Sequence, residues 1–221
     1  MNREAPDTSS SPASPGENGQ GDGRLLNIPN QITLARLGLS LIFFGILIAD
    51  NYGSFDVRRQ LVLNIAFGLF ILAAFSDFLD GYLARKWNMV STFGRIADPI
   101  VDKVFICGSF VLLERSSDLV QPWFAVLIIT REFLVSGLRG YLESIGIPFG
   151  AGSAGKMKMI FHSITVPTVI FTEANVPDSP AFRAICMVLL AVTALLTVSS
   201  CLEYLVKATR LLKNPPPPPE G

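Results

Sequence analysis

Apolar residues along this chain gather into six long blocks, at roughly 31–49, 61–84, 97–113, 121–142, 157–172 and 183–206, separated by short polar connections. A helix needs about 20 residues, within a range of roughly 17 to 25, to cross the ~30 Å hydrocarbon core of a bilayer. Four blocks meet that length comfortably, and the third and fifth are short. The pattern predicts an all-α, polytopic membrane protein with six transmembrane helices, its membrane domain spanning 24–213. Residues 1–23 are rich in Ser, Pro, Gly and acid, and 214–221 carry the run Pro215 to Pro219. Both have almost nothing to bury and are expected to be disordered tails. No apolar stretch follows the first charges, so the first membrane helix is expected to direct insertion.

Composition agrees with the block pattern. The 221 residues are 50% hydrophobic and 16% charged, with a mean hydropathy of +0.45, too apolar for a soluble domain of this length. Lys+Arg and Asp+Glu both number 18, and without a basic excess nucleic acid is not an expected partner. Cys107, Cys186 and Cys201 sit in apolar runs, where a buried, reduced thiol is the ordinary state and a disulfide framework is not.

Six crossings put both ends of the domain on one side. That side carries Arg24, Arg85, Lys86, Arg95, Lys156, Lys158, Lys207, Arg210 and Lys213, against Arg58, Arg59, Arg115 and Arg183 on the other. The bias predicts cytoplasmic termini.

The polar residues that interrupt the blocks carry the chemistry. Between Asp77 and Asp102 the chain reads D-x-x-D-G-x-x-A-R, eight residues, then G-x-x-x-D-x-x-x-D. Ionisable groups at membrane segments are costly and point to function. Asp77 and Asp80 stand at i, i+3 near the end of the second block, and Asp98 and Asp102 at i, i+4 near the start of the third. Each pair shares a helix face, with Cβ atoms about 5 to 6 Å apart. Helices joined by a short connection pack as antiparallel neighbours, so the pairs are expected to face each other. Four carboxylates in a partly desolvated pocket need a counter-charge, and hard divalent cations with oxygen ligands supply it. Two Mg²⁺ or Mn²⁺ ions about 3.5 to 4 Å apart suit the set; Zn²⁺, which prefers Cys and His, does not. Gly81 and Ala84 lie on or beside the aspartate face and leave a groove, and Arg85 offers a planar fork for phosphate oxygens. Acids, groove and arginine together suggest a nucleotide diphosphate.

At every defining position the run from Asp77 to Asp102 resembles the signature of the CDP-alcohol phosphatidyltransferases. The segments from Asn27 to Arg36, from Thr130 to Arg139 and from Gly155 to Lys158 are similar to the phosphatidylglycerophosphate synthase branch of that family, so the resemblance runs from about Asn27 to Lys213. One departure is Met159, where that branch is expected to carry Thr. The resemblance implies a six-helix membrane enzyme, a homodimer, in a bacterial-type cytoplasmic (inner) membrane with its site facing the cytoplasm. It would move the phosphatidyl group of CDP-diacylglycerol to an alcohol and release CMP. It further implies that Asp77, Asp80, Asp98 and Asp102 bind two divalent cations, that Asp102 is also the general base, and that Asn30, Thr33, Gly81, Ala84, Arg85 and Ser91 serve the CDP-diacylglycerol.

For the acceptor, glycerol 3-phosphate is a dianion, and Arg131, Arg139, Lys156 and Lys158 are cations where charge is otherwise scarce. Arg131 and Arg139 differ by only about 80° around a helix and can line one side of a cleft. Simpler readings stand beside these. The aspartates could form an ion-pair network with Arg85, Lys86, Arg95 and Lys103; the acceptor cations could snorkel to headgroups; and Asn30, Thr33 and Arg36 could only cap and anchor the first helix. His162, the single histidine, is read as a packing residue with no role. Within the same chemistry, phosphatidylglycerol (as in cardiolipin synthase), serine or inositol phosphate are alternative acceptors. A cation transporter is the rival of a different class, but it calls for midplane acids or helix breaks and an internal repeat, whereas these acids cluster at one end.

Overall fold

The computed structural model describes residues 28–53, 58–87, 92–147 and 153–213; within them, side chains are described except at 28–32, 77–87, 92–96 and 153–156. Six helices follow one another: α1 (Ile28–Asn51), α2 (Arg59–Trp87), α3 (Thr92–Ser116), α4 (Pro122–Ser144), α5 (Ser153–Asn175) and α6 (Pro180–Lys213). No strand occurs among the described residues. Each helix contains one of the apolar blocks. The third and fifth blocks, short as apolar runs, lie in helices of 25 and 23 residues, because the polar residues at their starts are helical too. Among the described residues, three stretches are long and apolar enough to cross a membrane by length and composition: Thr33–Asn51, Arg59–Ser76 and Pro180–Lys213.

Local chemistry explains where several helices begin and end. Pro122 and Pro180 open α4 and α6, where a missing N–H costs nothing and the fixed φ suits the first turn. α4 ends on Gly146, whose φ of +78° lies in the left-handed region. There the Gly146 N–H donates to the Glu143 carbonyl at 3.1 Å and the Ile147 N–H to that of Leu142 at 2.9 Å, satisfying carbonyls the helix would otherwise orphan.

In space the helices close a ring that chain order does not dictate. α1 packs on α2 and α3, α2 on α5, α5 on α6, α6 on α4, and α4 on α3, while α3 also reaches α5. Three phenylalanines fill the α1, α2, α3 corner, with Phe43 5.6 Å from Phe105 and Phe70 stacked on Phe105 at 4.9 Å between ring centroids. Phe110 of α3 meets Phe124 of α4 and His162 of α5 edge-on at 5.1 and 5.5 Å, so His162 packs against an aromatic ring, as its apolar neighbourhood led one to expect. The Phe44 ring lies so close to Gly108 that a Cβ there would stand 2.6 Å from it. A hydroxyl pair and a hydroxyl–thiol pair join α5 to α6: Thr165 meets Thr193 at 2.9 Å and Thr172 Oγ1 meets Cys186 Sγ at 3.2 Å. Serine and threonine serve in this way where helices pack without an aqueous hydrophobic drive.

Candidate active site

The N-terminal parts of α1, α3 and α5 meet the middle and later parts of α4 and α6 toward one end of the ring, and most of the sequence-derived site residues described there gather in two adjoining groups. The first is acidic. Asp98 and Asp102 lie one turn apart on α3, and α1 supplies both of their partners. Thr33 Oγ1 donates to Asp98 Oδ1 at 2.5 Å, and the Arg36 guanidinium pairs with Asp102 Oδ1. Thr33 and Arg36 are almost fully buried, while the Asp102 side chain keeps 34% of its surface exposed. Residues that could have done no more than anchor α1 therefore hold the carboxylates of α3. The pairing of Arg36 with Asp102 also shows that part of the acid set has an arginine counter-charge from the protein itself.

The second group is basic and more deeply buried. Arg131 and Glu132 on α4 and Lys158 on α5 expose 6%, 8% and 4% of their surfaces. Glu132 Oε1 accepts from Arg131 Nη1 at 3.3 Å and pairs with the Lys158 ammonium. Arg131 Nε donates to Ser200 Oγ of α6 at 3.1 Å, and its guanidinium lies 5.5 Å from the ring centre of Tyr204. Two turns along α4, Arg139 Nη2 donates to the hydroxyl of the same tyrosine at 3.3 Å. Arg131 and Arg139 thus share a side of α4, in keeping with their eight-residue spacing. Lys103, next to Asp102, lies within electrostatic reach of Asp102, Arg139 and Lys158 and links the two groups.

Three members of the basic group were not among the residues singled out in the sequence: Glu132, Ser200 and Tyr204. An acid beside Arg131 inside an apolar block was the available signal for Glu132. Nothing marked Ser200 or Tyr204, since hydroxyls are common on packed membrane helices. The side chains of Asn30, Asp77, Asp80, Gly81, Ala84, Arg85 and Lys156, and the whole of Ser91, lie outside the described residues. Among the described residues Asp98 and Asp102 form no larger cluster of metal-ligating side chains. Two neighbouring, partly exposed carboxylates offer oxygen ligands and fit a hard divalent cation.

A model of the CDP-alcohol phosphatidyltransferases matches residues 26–199. The chain belongs to this family. Among curated members it is 36% identical over 194 residues to the CDP-diacylglycerol–glycerol-3-phosphate 3-phosphatidyltransferase of Bacillus subtilis (strain 168), covering 86% of this chain and 99% of the relative. It is 35% identical over 144 residues to the enzyme of that name from Rickettsia felis, with 65% and 75% covered. A probable phosphatidylglycerophosphate synthase of Mycobacterium tuberculosis (strain H37Rv) is 33% identical over 197 residues, with 88% of each covered. The family match takes in α1 through the first part of α6, and so the acidic group together with Arg131, Glu132, Arg139 and Lys158 of this phosphatidyltransferase, with Ser200 and Tyr204 just beyond it. Divalent cations are general in the family, in keeping with the donor set at Asp98 and Asp102.

Proposed function

We propose that this protein transfers the phosphatidyl group of CDP-diacylglycerol to sn-glycerol 3-phosphate, giving phosphatidylglycerophosphate and CMP. The observation that carries the acceptor is the basic group, buried Arg131 and Lys158 with half-buried Arg139, at the same end of the bundle as Asp98 and Asp102. An acceptor with a phosphate of its own needs such cations, and an uncharged alcohol does not. The relatives' names, CDP-diacylglycerol–glycerol-3-phosphate 3-phosphatidyltransferase, support the same acceptor.

In this reading residues 24–213 form one membrane domain of six transmembrane helices between tails at 1–23 and 214–221. It lies in a bacterial-type inner membrane as a homodimer, with its acidic and basic groups facing the cytoplasm. The excess of Lys and Arg at that end supports the orientation. Asp77, Asp80, Asp98 and Asp102 would hold two divalent cations, Mg²⁺ or Mn²⁺. Bound there, such ions supply charge for the diphosphate and for the oxygen that leaves with CMP.

The protein's own residues do the rest. Asn30, Thr33, Gly81, Ala84, Arg85 and Ser91 seat the CDP-diacylglycerol, with Gly81 and Ala84 keeping the groove open. Arg131, Arg139, Lys156 and Lys158 hold the acceptor phosphate and so aim a glycerol hydroxyl at the phosphorus that bears the diacylglycerol. The new P–O bond forms as the bond to the CMP oxygen breaks, and Asp102 takes the hydroxyl proton. Positioning of this kind removes much of the entropic barrier of a two-substrate reaction.

CMP release from purified protein with CDP-diacylglycerol and Mg²⁺ tests the reading, comparing glycerol 3-phosphate with glycerol, phosphatidylglycerol, serine and inositol phosphate. Glycerol 3-phosphate should be strongly preferred, and excess EDTA should abolish turnover until Mg²⁺ or Mn²⁺ is restored. Preference for phosphatidylglycerol would move the protein to cardiolipin synthesis. Full turnover in EDTA would remove the metal assignment.

A further inference from the structure

Glu132 is a buried acid among acceptor-site cations, and no part of the reaction as derived above uses it. It stands on α4, turned to Arg131 of its own helix and to Lys158 of α5. The Glu132 carboxylate is thereby the joint between two of the helices that surround the basic group, and Arg131 extends the connection to Ser200 and Tyr204 of α6.

A purely structural ion pair would be balanced, since unpaired charge is expensive away from water. Among the described residues this group is not balanced. Arg131 and Lys158 share the single Glu132 carboxylate, while Arg139, joined to Arg131 through Tyr204, and Lys103, within electrostatic reach of Lys158, add further positive charge. Such a surplus suits a phosphate monoester dianion. One carboxylate is enough to fix the geometry of the cations, and too little to neutralise them. A long, flexible lysine gains most from such a partner, because its ammonium is a point charge with many rotamers, whereas Arg131 is already held by Ser200.

We propose that Glu132 is a positioning residue for the acceptor phosphate: it holds Lys158, and through the shared oxygen Arg131, in the geometry that receives the dianion while leaving the site net positive. This rests on the reading of the basic group as the glycerol 3-phosphate site. Glu132 itself touches neither substrate nor reacting atoms.

The test is steady-state kinetics of the full chain in detergent or nanodiscs with CDP-diacylglycerol, Mg²⁺ and glycerol 3-phosphate. Wild type is compared with Glu132→Gln, Glu132→Asp, Lys158→Gln and the Glu132→Gln, Lys158→Gln double variant. Glu132→Gln should raise the KM for glycerol 3-phosphate roughly ten- to a hundredfold, the scale of one hydrogen bond to a charged group. The KM for CDP-diacylglycerol should stay within about twofold, a split that general destabilisation would not produce. Glu132→Asp, which keeps the charge on a shorter arm, should fall between. If Glu132 acts through Lys158, adding Glu132→Gln to Lys158→Gln should raise the KM by less than about threefold more, since residues in one network are not additive. If Lys158→Gln raises the KM but Glu132→Gln leaves it at the wild-type value, or if the two effects multiply, the inference falls and the acceptor site stands. If Lys158→Gln leaves the KM unchanged, or wild type prefers another acceptor, the acceptor-site reading falls and the inference with it. Should Glu132→Gln fail to fold, Glu132→Asp decides, and a wild-type KM in that variant overturns the inference.

Discussion

Both ends of the six-helix ring are polar, but they are polar in different ways. At the end opposite the candidate site, amides, hydroxyls and one-to-one charge pairs satisfy one another across helices. Ser116 Oγ donates to Asn51 Oδ1 at 2.5 Å, while Asn51 Nδ2 donates to the Leu112 carbonyl at 3.1 Å. Asn64 of α2 and Asn175 of α5 exchange hydrogen bonds at 2.8 and 3.2 Å, and Ser117 donates to Glu173 at 2.6 Å. The arginines there have matched partners: Arg59 reaches the Ser116 carbonyl at 2.7 Å and pairs with Asp50 at 3.4 Å, Arg115 reaches the Asn51 carbonyl at 3.3 Å, and Arg183 pairs with Asp118 at 3.1 Å. Such an end is a closed set of donors and acceptors that ties α1 to α3 and α2 to α5. At the other end, among the described residues, positive charge in the basic group exceeds its local partners. Satisfied networks make structure, whereas buried, unbalanced charge is kept where something must bind.

The comparison breaks most sharply at Asp102. Asp102→Asn removes the proposed base and leaves Arg36 facing a neutral amide. Turnover should fall by roughly 10²- to 10⁴-fold, the usual share of a positioned general base. Binding of CDP-diacylglycerol, followed by displacement of a labelled CDP-lipid, should be largely retained. Near-normal turnover would make the acidic group another structural network like that of the opposite end.

Next in size are the arginines of the basic group. Arg131→Gln or Arg139→Gln should raise the KM for glycerol 3-phosphate about ten- to a hundredfold, from about 1.5 to 3 kcal/mol per hydrogen bond to a charged group. The KM for CDP-diacylglycerol should hardly move. Equal rises for both substrates would mean that these residues support the helix bundle rather than one ligand.

How far the two ends could be read in the sequence follows from the same difference. Charges inside apolar blocks stand out, so Asp98, Asp102, Arg131, Arg139 and Lys158 were visible as candidates before their surroundings were known, and the six helices followed from the blocks. The helix ends were less visible, because polar turns continue α3 and α5 beyond the apolar residues. The ring order was not legible at all: α2 packs on α5 and α4 on α6, pairs remote in the chain and set by side-chain fit. The neutral network was hidden for a related reason. Asn51, Asn64 and Asn175 look like ordinary residues at block edges, and only three-dimensional placement makes them partners. Glu132 was obscured by its neighbour, since an Arg-Glu dipeptide reads as a local pair and not as a link to α5.

Asn64→Ala should have the reverse signature of the arginine variants. It deletes a reciprocal amide pair and should cost about 1 kcal/mol, a Tm decrease of roughly 2 to 4 °C for a chain of this size. Both KM values should be unchanged. A kinetic effect here would mean that the two ends are coupled through α2 and α5.

The smallest effect belongs to the ion pair in the α3–α4 connection. Asp118 accepts from Arg183 Nη2 at 3.1 Å, and that hydrogen bond, with the attraction of the guanidinium, holds the Asp118 carboxyl below the usual aspartate range. A depressed carboxyl favours the folded state while ionised, so its contribution is complete above the ordinary aspartate value of about 3.9 and is lost as pH falls through the lower folded value. The pair is solvent-exposed, with 82% of the Asp118 side-chain surface accessible, and water and salt screen most of its attraction. Asp118→Asn should therefore lower Tm by only about 1 to 2 °C at pH 7 and by the same amount at pH 5. Below about pH 4 the variant and wild type should converge. Thermal melts in detergent across that range, repeated at high salt, check the sign: a gap that widened on acidification would mean that Asp118 is not held by Arg183, and one that survived high salt would mean that the contact is not mainly electrostatic.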